Sequence, residues 1–424
     1  MKLGIVGTGY VGTTVGTGLA SKGHDITFID VDQDKVKKIN RGDLPLHDRT
    51  LEEPFEEVHE KGKLEASTDY DDLENKEAVF LTLPTPSKED GSIDLDYLRE
   101  GTRSVGKVLG RMNNPLIVVK STVLPKTTED VVIPALEEES GLEAGEDFRV
   151  CMNPEFLREG SALDDFLEPD RIVLGELDQE SGDKLEKLYE DFNAPIIRTG
   201  LKEAEMIKYA SNALLATKIS FANEIGNLCK ELDIDTYEVM DAVGMDHRIS
   251  RDFLNSGVGF GGSCFPKDVK AIVRKAENTG VEPRILNEVL KRNENQRERF
   301  VDLAEKVHGE LDGKDVGILG LSFKPRTDDI RESPAITIIG RLLEKNCNVH
   351  AHDPKAMEEM KKLYPNISYY DSVEEVVKNS DIVKILTDWP QFEELENHLD
   401  KHGKKAVEGR RMFPENENVE GICW

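Results

Sequence analysis

No stretch of the 424 residues approaches the ~20 consecutive apolar residues that a helix needs to cross a bilayer. The opening Met1-Lys2 runs straight into Leu3-Gly4-Ile5-Val6 and then glycines. It has neither the longer apolar stretch nor the cleavage site of a secretory signal, so a cytoplasmic protein is expected. Cysteine is sparse: Cys151, Cys229, Cys264, Cys347 and Cys423 are odd in number, widely spaced and without a Cys-x-x-Cys pair. That pattern excludes a disulfide framework and a structural zinc site. No metal is expected, and a cysteine that matters acts as a free thiol. Basic residues are outnumbered, with 55 Lys and Arg against 84 Asp and Glu, a formal charge of −29. Such a surface repels nucleic acid and anionic membranes, so neither is expected as a partner. It also repels itself, and that repulsion fades as the screening length falls to about 3 Å near 1 M salt. A salt-loving source is therefore expected, with an ordinary soluble protein bearing an acidic face as the alternative.

What is present is an α/β pattern. Leu3-Ile5-Val6 and Ile26-Thr27-Phe28-Ile29 read as strands around a glycine turn and a helix. Ala78–Leu81, Leu116–Val119 and Phe148–Val150 continue the alternation. Continuous apolar strands separated by helical stretches predict a parallel sheet covered on both faces. From Leu201 the spacing becomes helical, with no proline and one glycine through residue 230. Further helices are expected to about residue 300, with Asn293-Glu294-Asn295-Gln296 as an exposed face or end. Alternation resumes at Asp315–Leu319, Asn348–Ala351 and Ile382–Leu386. The expectation is two Rossmann-like, doubly wound parallel-sheet domains, residues 1–200 and 301–424, joined by a central helical region, residues 201–300.

Gly7-Thr8-Gly9-Tyr10-Val11-Gly12 fits G-x-G-x-x-G between a strand and a helix. Gly7 permits the tight turn, Gly9 lets a pyrophosphate approach the backbone and Gly12 allows close helix–strand packing. The phosphates then use the helix N-terminal amides. Asp30 follows the second strand, where its carboxylate accepts bonds from ribose hydroxyls and clashes with a 2′-phosphate. NAD is therefore expected rather than NADP. In Val258-Gly259-Phe260-Gly261-Gly262-Ser263-Cys264-Phe265-Pro266-Lys267-Asp268, three glycines precede a cysteine at the start of a helix. A helix N-terminus and a nearby Lys267 both favour the thiolate, so Cys264 is the candidate nucleophile. The other four cysteines read as small buried hydrophobes.

At these residues the chain resembles the UDP-glucose/GDP-mannose dehydrogenase family. The likeness runs from Gly7 to Arg411. It includes Lys120-Ser121-Thr122-Val123, Asn153-Pro154-Glu155-Phe156-Leu157-Arg158-Glu159-Gly160, Lys208 with Asn212, the Cys264 segment, Gly320–Lys324 and Arg331–Pro334. The undivided Gly-Phe-Gly-Gly-Ser-Cys run resembles the UDP-glucose branch, as do Thr387-Asp388-Trp389 and Glu408-Gly409-Arg410-Arg411. Oxidation of GDP-mannose or of a UDP-N-acetylhexosamine is the alternative, and a non-catalytic sensor of NAD or sugar nucleotide lies further off.

The resemblance implies a four-electron oxidation of the sugar C6 alcohol to a carboxylate, with two NAD used in turn. Asp268, acting with a water, takes the alcohol proton, and Thr122 helps to hold that water. Lys208 and Asn212, four residues apart and so on one helix face, steady the oxyanion. Cys264 forms a thiohemiacetal and then a thioester, which Glu155 hydrolyses through water. Further substrate contacts implied are Phe156, Leu157, Arg248, Phe253, Phe260, Gly261, Lys324 and Arg410, with Arg248 reaching a neighbouring subunit's site. On the NAD side the implied residues are Tyr10, Val11, Lys35, Thr85, Thr122, Glu159, Lys267 and Arg331. Lys35 and Asn255 depart from family members that carry arginine and lysine there. A homodimer through the central helices is implied as well.

Overall fold

Eight short strands make the first sheet: β1 (Lys2–Val6), β2 (Asp25–Ile29), β3 (Leu64–Ser67), β4 (Ala78–Leu81), β5 (Leu116–Val119), β6 (Arg149–Met152), β7 (Ile172–Glu176) and β8 (Ile196–Gly200). In this computed structural model they lie in the order β3-β2-β1-β4-β5-β6-β7-β8. The structure describes residues 1–46 and 48–424, with Arg49 described by its backbone alone. It divides into two compact units, Met1–Ala210 and Ser211–Trp424. The central strands β4, β5 and β6 are buried at every position, as a sheet covered on both faces requires. One junction departs from the expected all-parallel sheet: β7 runs antiparallel to β6. Strand direction depends on how the chain returns, which apolar content does not encode. Helix α1 (Tyr10–Ser21) leaves the glycine turn and packs Val15 and Leu19 into the core with Leu3, Ile5 and Phe28.

Helix α2 (Leu201–Glu231) follows without interruption. Its first ten residues belong to the first unit, where Leu201 and Ala204 join a core with Val6, Val119 and Met152. The rest of α2 belongs to the second unit. There it is followed by α3 (Thr236–Gly244), α4 (Phe265–Asn278) and α5 (Arg284–His308). The Asn293–Gln296 segment, expected as an exposed face or end, is so only at Glu294 and Asn295. It lies inside α5, with Asn293 and Gln296 buried. Asn293 accepts from the Phe260 amide at 2.7 Å and donates to the Phe260 carbonyl at 3.0 Å. Gln296 donates to Asn227 at 3.2 Å and accepts from it at 2.8 Å. Buried amides are tolerated when so satisfied, and their partners are remote in sequence.

The second sheet holds β9 (Asp315–Leu319), β10 (Asn348–His352), β11 (Ser368–Tyr369), β12 (Ile382–Ile385), β13 (Lys405–Glu408) and β14 (Val419–Gly421). It is wholly parallel, in the order β11-β10-β9-β12-β13-β14. Its central strand β12 carries a fully buried lysine. The Lys384 amino group donates to the Phe300 carbonyl at 2.9 Å and lies 4.7 Å from the Phe300 ring centre. Burial pulls its pKa down to about 7. An unfolded lysine titrates near 10.4, so between those values the unfolded chain holds more protons. Stability therefore rises with pH across this window and is lost as pH falls towards 7. Replacing Lys384 by methionine should raise the melting temperature by several degrees at pH 6 and by much less at pH 10. Thermal melts at the two values check this, and equal shifts at both would contradict it.

Candidate active site

In the first unit the glycine turn is built for a close ligand. Gly7 has φ +99°, and a side chain there would strike the Thr82 carbonyl. Gly12 lies against the Gly7 carbonyl, where a methyl group has no room. Gly9, by contrast, faces open space, with nothing within 4 Å of where its side chain would be. The free amides of the first turn of α1 lie beside that opening. Asp30 accepts from the Thr8 amide at 2.8 Å, the Thr8 hydroxyl at 2.5 Å and the Asp32 amide at 3.0 Å. Burial pushes the Asp30 carboxyl up, but these bonds and Lys35, at 3.8 Å, outweigh it and hold the group below its ordinary range. It is an anion at neutral pH, with lone pairs left for hydroxyl donors. This cradle fits the diphosphate and ribose of NAD.

Other expected residues of this unit gather around strand ends. Thr85 donates through its hydroxyl to the Thr122 carbonyl at 2.9 Å, tying the segment after β4 to that after β5. The Tyr10 hydroxyl donates to Asp48 at 2.8 Å and accepts from the Gly160 amide at 2.9 Å, which anchors the segment holding Glu159. Val11 is half-buried at the start of α1. After β6 comes Glu155, buried and 2.8 Å from the Lys208 amino group of α2. Burial raises the Glu155 carboxyl, but Lys208, the Leu157 amide and Lys120 together outweigh it and hold it below the usual range. The Leu157 amide donates to Glu155 at 2.6 Å, and the Phe156 ring centre lies 5.6 Å from the Lys208 nitrogen. The cation–ring contact adds to the pairing of a charge otherwise expensive to bury.

Sequence reading gave no role to Lys120. It is buried and donates to Asn153 at 2.7 Å, and Tyr189 donates to the same oxygen at 2.6 Å. Burial lowers its pKa to about 7. The network fixes Asn153, two residues before Glu155. A lysine after a strand gives no sign of burial, so only its place in a matched segment marked it.

In the second unit the glycine segment 257–262 leads into α4, with Cys264 as its N-cap residue and Pro266 in the first turn. Of the five cysteines Cys264 alone is exposed. The Ser263 hydroxyl lies 3.6 Å from its sulfur. The cation expected beside the thiol is engaged one residue on, since the Lys267 amino group contacts Asp268 at 2.6 Å. Asp268 is buried and also accepts from Asn212 of α2 at 2.7 Å. Asn212 stands one turn beyond Lys208 on that helix.

The glycines admit close neighbours: a side chain at Gly261 would strike the Glu332 carbonyl, and one at Gly262 the Phe323 ring. The Gly262 amide donates to the Arg331 carbonyl at 2.8 Å. This brings the Cys264 segment to the one holding Lys324, which lies 5.5 Å from the Phe323 ring centre. The Arg331 side chain itself is exposed and pairs with Asp329. Arg410 donates to the Gly259 carbonyl at 3.3 Å. Phe260 and Phe253 both set their rings edge-on to Phe265, at 6.1 and 6.0 Å. Arg248 is exposed and paired with Asp246.

The family models decide the kinship. That of the UDP-glucose/GDP-mannose dehydrogenase NAD binding domain matches residues 1–193, the central domain 202–295 and the UDP binding domain 317–414. The chain belongs to the UDP-glucose/GDP-mannose dehydrogenase family. It is similar to UDP-glucose 6-dehydrogenase AglM of Haloferax volcanii, at 44% identity over 99% of each chain. It is also similar to GDP-mannose 6-dehydrogenase of Pseudomonas aeruginosa, at 38% identity over 100% of each chain. A solved UDP-glucose dehydrogenase from Pyrobaculum islandicum shares the fold, with TM-score 0.94 and 41% identity over 100% of this chain and 98% of that one. As a member of the family, this chain is an NAD-dependent oxidoreductase of nucleotide sugars. None of its described helices is long and apolar enough to cross a membrane.

Proposed function

We propose that the chain oxidises UDP-glucose at C6 to UDP-glucuronate, and that Cys264 carries the sugar between the two oxidations. The observation behind this is the exposed Cys264 thiol at the head of α4, with the buried Asp268 carboxylate one turn inside. NAD, when bound, supplies the hydride acceptor for both oxidations. Gly9 and Asp30 hold its diphosphate and ribose; Thr85, Thr122, Lys35 and Glu159 serve the same ligand.

Asp268, through a water, receives the proton of the C6 hydroxyl in the first oxidation. The Cys264 thiolate then adds to the aldehyde carbon, forming a C–S bond and an oxyanion. Lys208 and Asn212 stabilise that oxyanion. Loss of the remaining hydride leaves a thioester, and water cleaves it to the carboxylate and the free thiol. In hydrolysis Glu155 takes a proton from the attacking water, and the oxyanion formed by that attack draws Lys208 away from Glu155, which raises the basicity of Glu155 as the proton moves. The positive charges of Lys324 and Arg410 suit the diphosphate of the substrate.

An NADH absorbance assay across nucleotide sugars tests the substrate. UDP-glucose should give two NADH per molecule oxidised. Two NADH from GDP-mannose or a UDP-N-acetylhexosamine, and none from UDP-glucose, would transfer the reading to that sugar.

The working form is a homodimer in the cytoplasm. Leu214, Phe221 and Leu228 recur every seventh residue of α2 and are exposed by 63, 52 and 56%. Seven residues are about two turns, so the three share one face. A second copy of the chain covers that face, and light scattering at a mass of two chains checks this. The charge of −29 also predicts salt dependence, since added salt shortens the screening length from about 10 Å at 0.1 M to 3 Å at 1 M. Melting temperature should climb between 0.1 and 2 M KCl. A flat or falling curve would remove the high-salt reading.

A further inference from the structure

We propose that Trp424 and Glu408 form a clamp that positions Arg410 and the glycine segment 257–262, and so sets affinity for the nucleotide sugar without contacting it. The inference rests on reading Arg410, Phe260 and Gly261 as substrate contacts.

Glu408 ends β13 and is completely buried. One carboxylate oxygen accepts from the Met412 amide at 2.8 Å and the Phe413 amide at 3.1 Å. The other accepts from the indole nitrogen of Trp424 at 2.9 Å. Burial pushes the Glu408 carboxyl above its ordinary range in spite of these bonds. What the carboxylate provides is geometry: it pins both ends of the turn that presents Arg410 and Arg411.

The indole is held in turn. Its ring stands edge-on to Tyr237, with centres 5.4 Å apart. A side chain at Gly421 would displace it. The Tyr237 hydroxyl donates to the Ser256 carbonyl at 3.0 Å, at the entrance to the glycine segment. Arg411 spans the same ring at 4.6 Å and pairs with both oxygens of Asp235. The two presented segments then meet backbone to backbone. The Val258 amide donates to the Gly409 carbonyl at 3.2 Å, and a side chain at either Gly257 or Gly409 would collide with the opposite strand. A shift of the 408–411 turn is therefore passed directly to Gly259, whose carbonyl Arg410 holds, and on to Phe260 and Gly261.

The test uses Trp424→Phe, Glu408→Gln and the double variant in the full-length enzyme, each checked by thermal melting. Trp424→Phe keeps the ring contact with Tyr237 but leaves a buried acceptor without its donor. KM for UDP-glucose should rise about tenfold, in line with the cost of such a loss. KM for NAD and kcat should stay within about twofold, because the change touches only binding of the sugar nucleotide. Glu408→Gln sets an amide nitrogen against a donor, with the same expected result. In the double variant the same bond is already lost, so KM should rise no further than in either single variant.

Unchanged KM for UDP-glucose in both single variants would overturn the clamp. So would parallel loss of kcat and of affinity for both substrates, the mark of general loosening. Arg410→Ala separates the premise from the proposal. If Arg410→Ala raises KM and Trp424→Phe does not, the clamp alone fails. If Arg410→Ala leaves KM unmoved, the reading of Arg410 as a substrate contact fails.

Discussion

Cys264→Ala is expected to abolish formation of the acid, by ~10³-fold or more, the scale on which removal of a covalent nucleophile acts. An aldehyde has no second hydride to give until a nucleophile has added to its carbon, and no other described cysteine is exposed. Binding of UDP-glucose and of NAD should survive within a few-fold. The thiol is exposed, and truncation of an exposed side chain costs within about 0.5 kcal/mol of stability. Calorimetric binding of UDP-glucose to the variant, beside chromatographic assay of UDP-glucuronate, checks both halves. Acid production near the wild-type rate would rule out a thioester route.

Glu155→Gln is expected to separate oxidation from hydrolysis. The carboxylate is paired with Lys208 at 2.8 Å inside the first unit. Glutamine preserves shape and one hydrogen bond but removes the base and the counter-charge. The enzyme should release a burst of two NADH per active site and then slow by ~10² to 10⁴-fold, the usual contribution of a general base. Stability should fall as well, because breaking a buried pair leaves an uncompensated charge at a cost of about 3–5 kcal/mol. Rapid-mixing absorbance gives the burst. A steady rate with no burst would place hydrolysis in other hands.

The outcome for sequence reading follows how local each signal is. The turn at Gly7–Gly12 was legible because its demands are met within a few residues: a positive φ at Gly7 and no room for a methyl group at Gly12. The long helix α2 was legible from periodicity, as was Cys264 at the head of α4. The burial of Asn293 and Gln296 was missed because their amides are satisfied by Phe260 and Asn227, 33 and 69 residues distant. The antiparallel entry of β7 was missed for a similar reason, since apolar content does not record the path of return. Lys120 and Lys384 carried no role in the sequence, and nothing nearby in sequence marks a lysine whose charge is buried. The acid at position 408 showed only as a member of a matched segment. Its length acquires meaning once the indole of Trp424 is seen at its far oxygen.

The most direct measurement is peptide mapping by mass spectrometry of the Glu155→Gln enzyme, quenched after exposure to UDP-glucose and NAD. The account predicts one covalent sugar-nucleotide adduct per chain, on the peptide containing Cys264 and absent from a Cys264→Ala control. Turnover with no adduct, or an adduct on another residue, would contradict it.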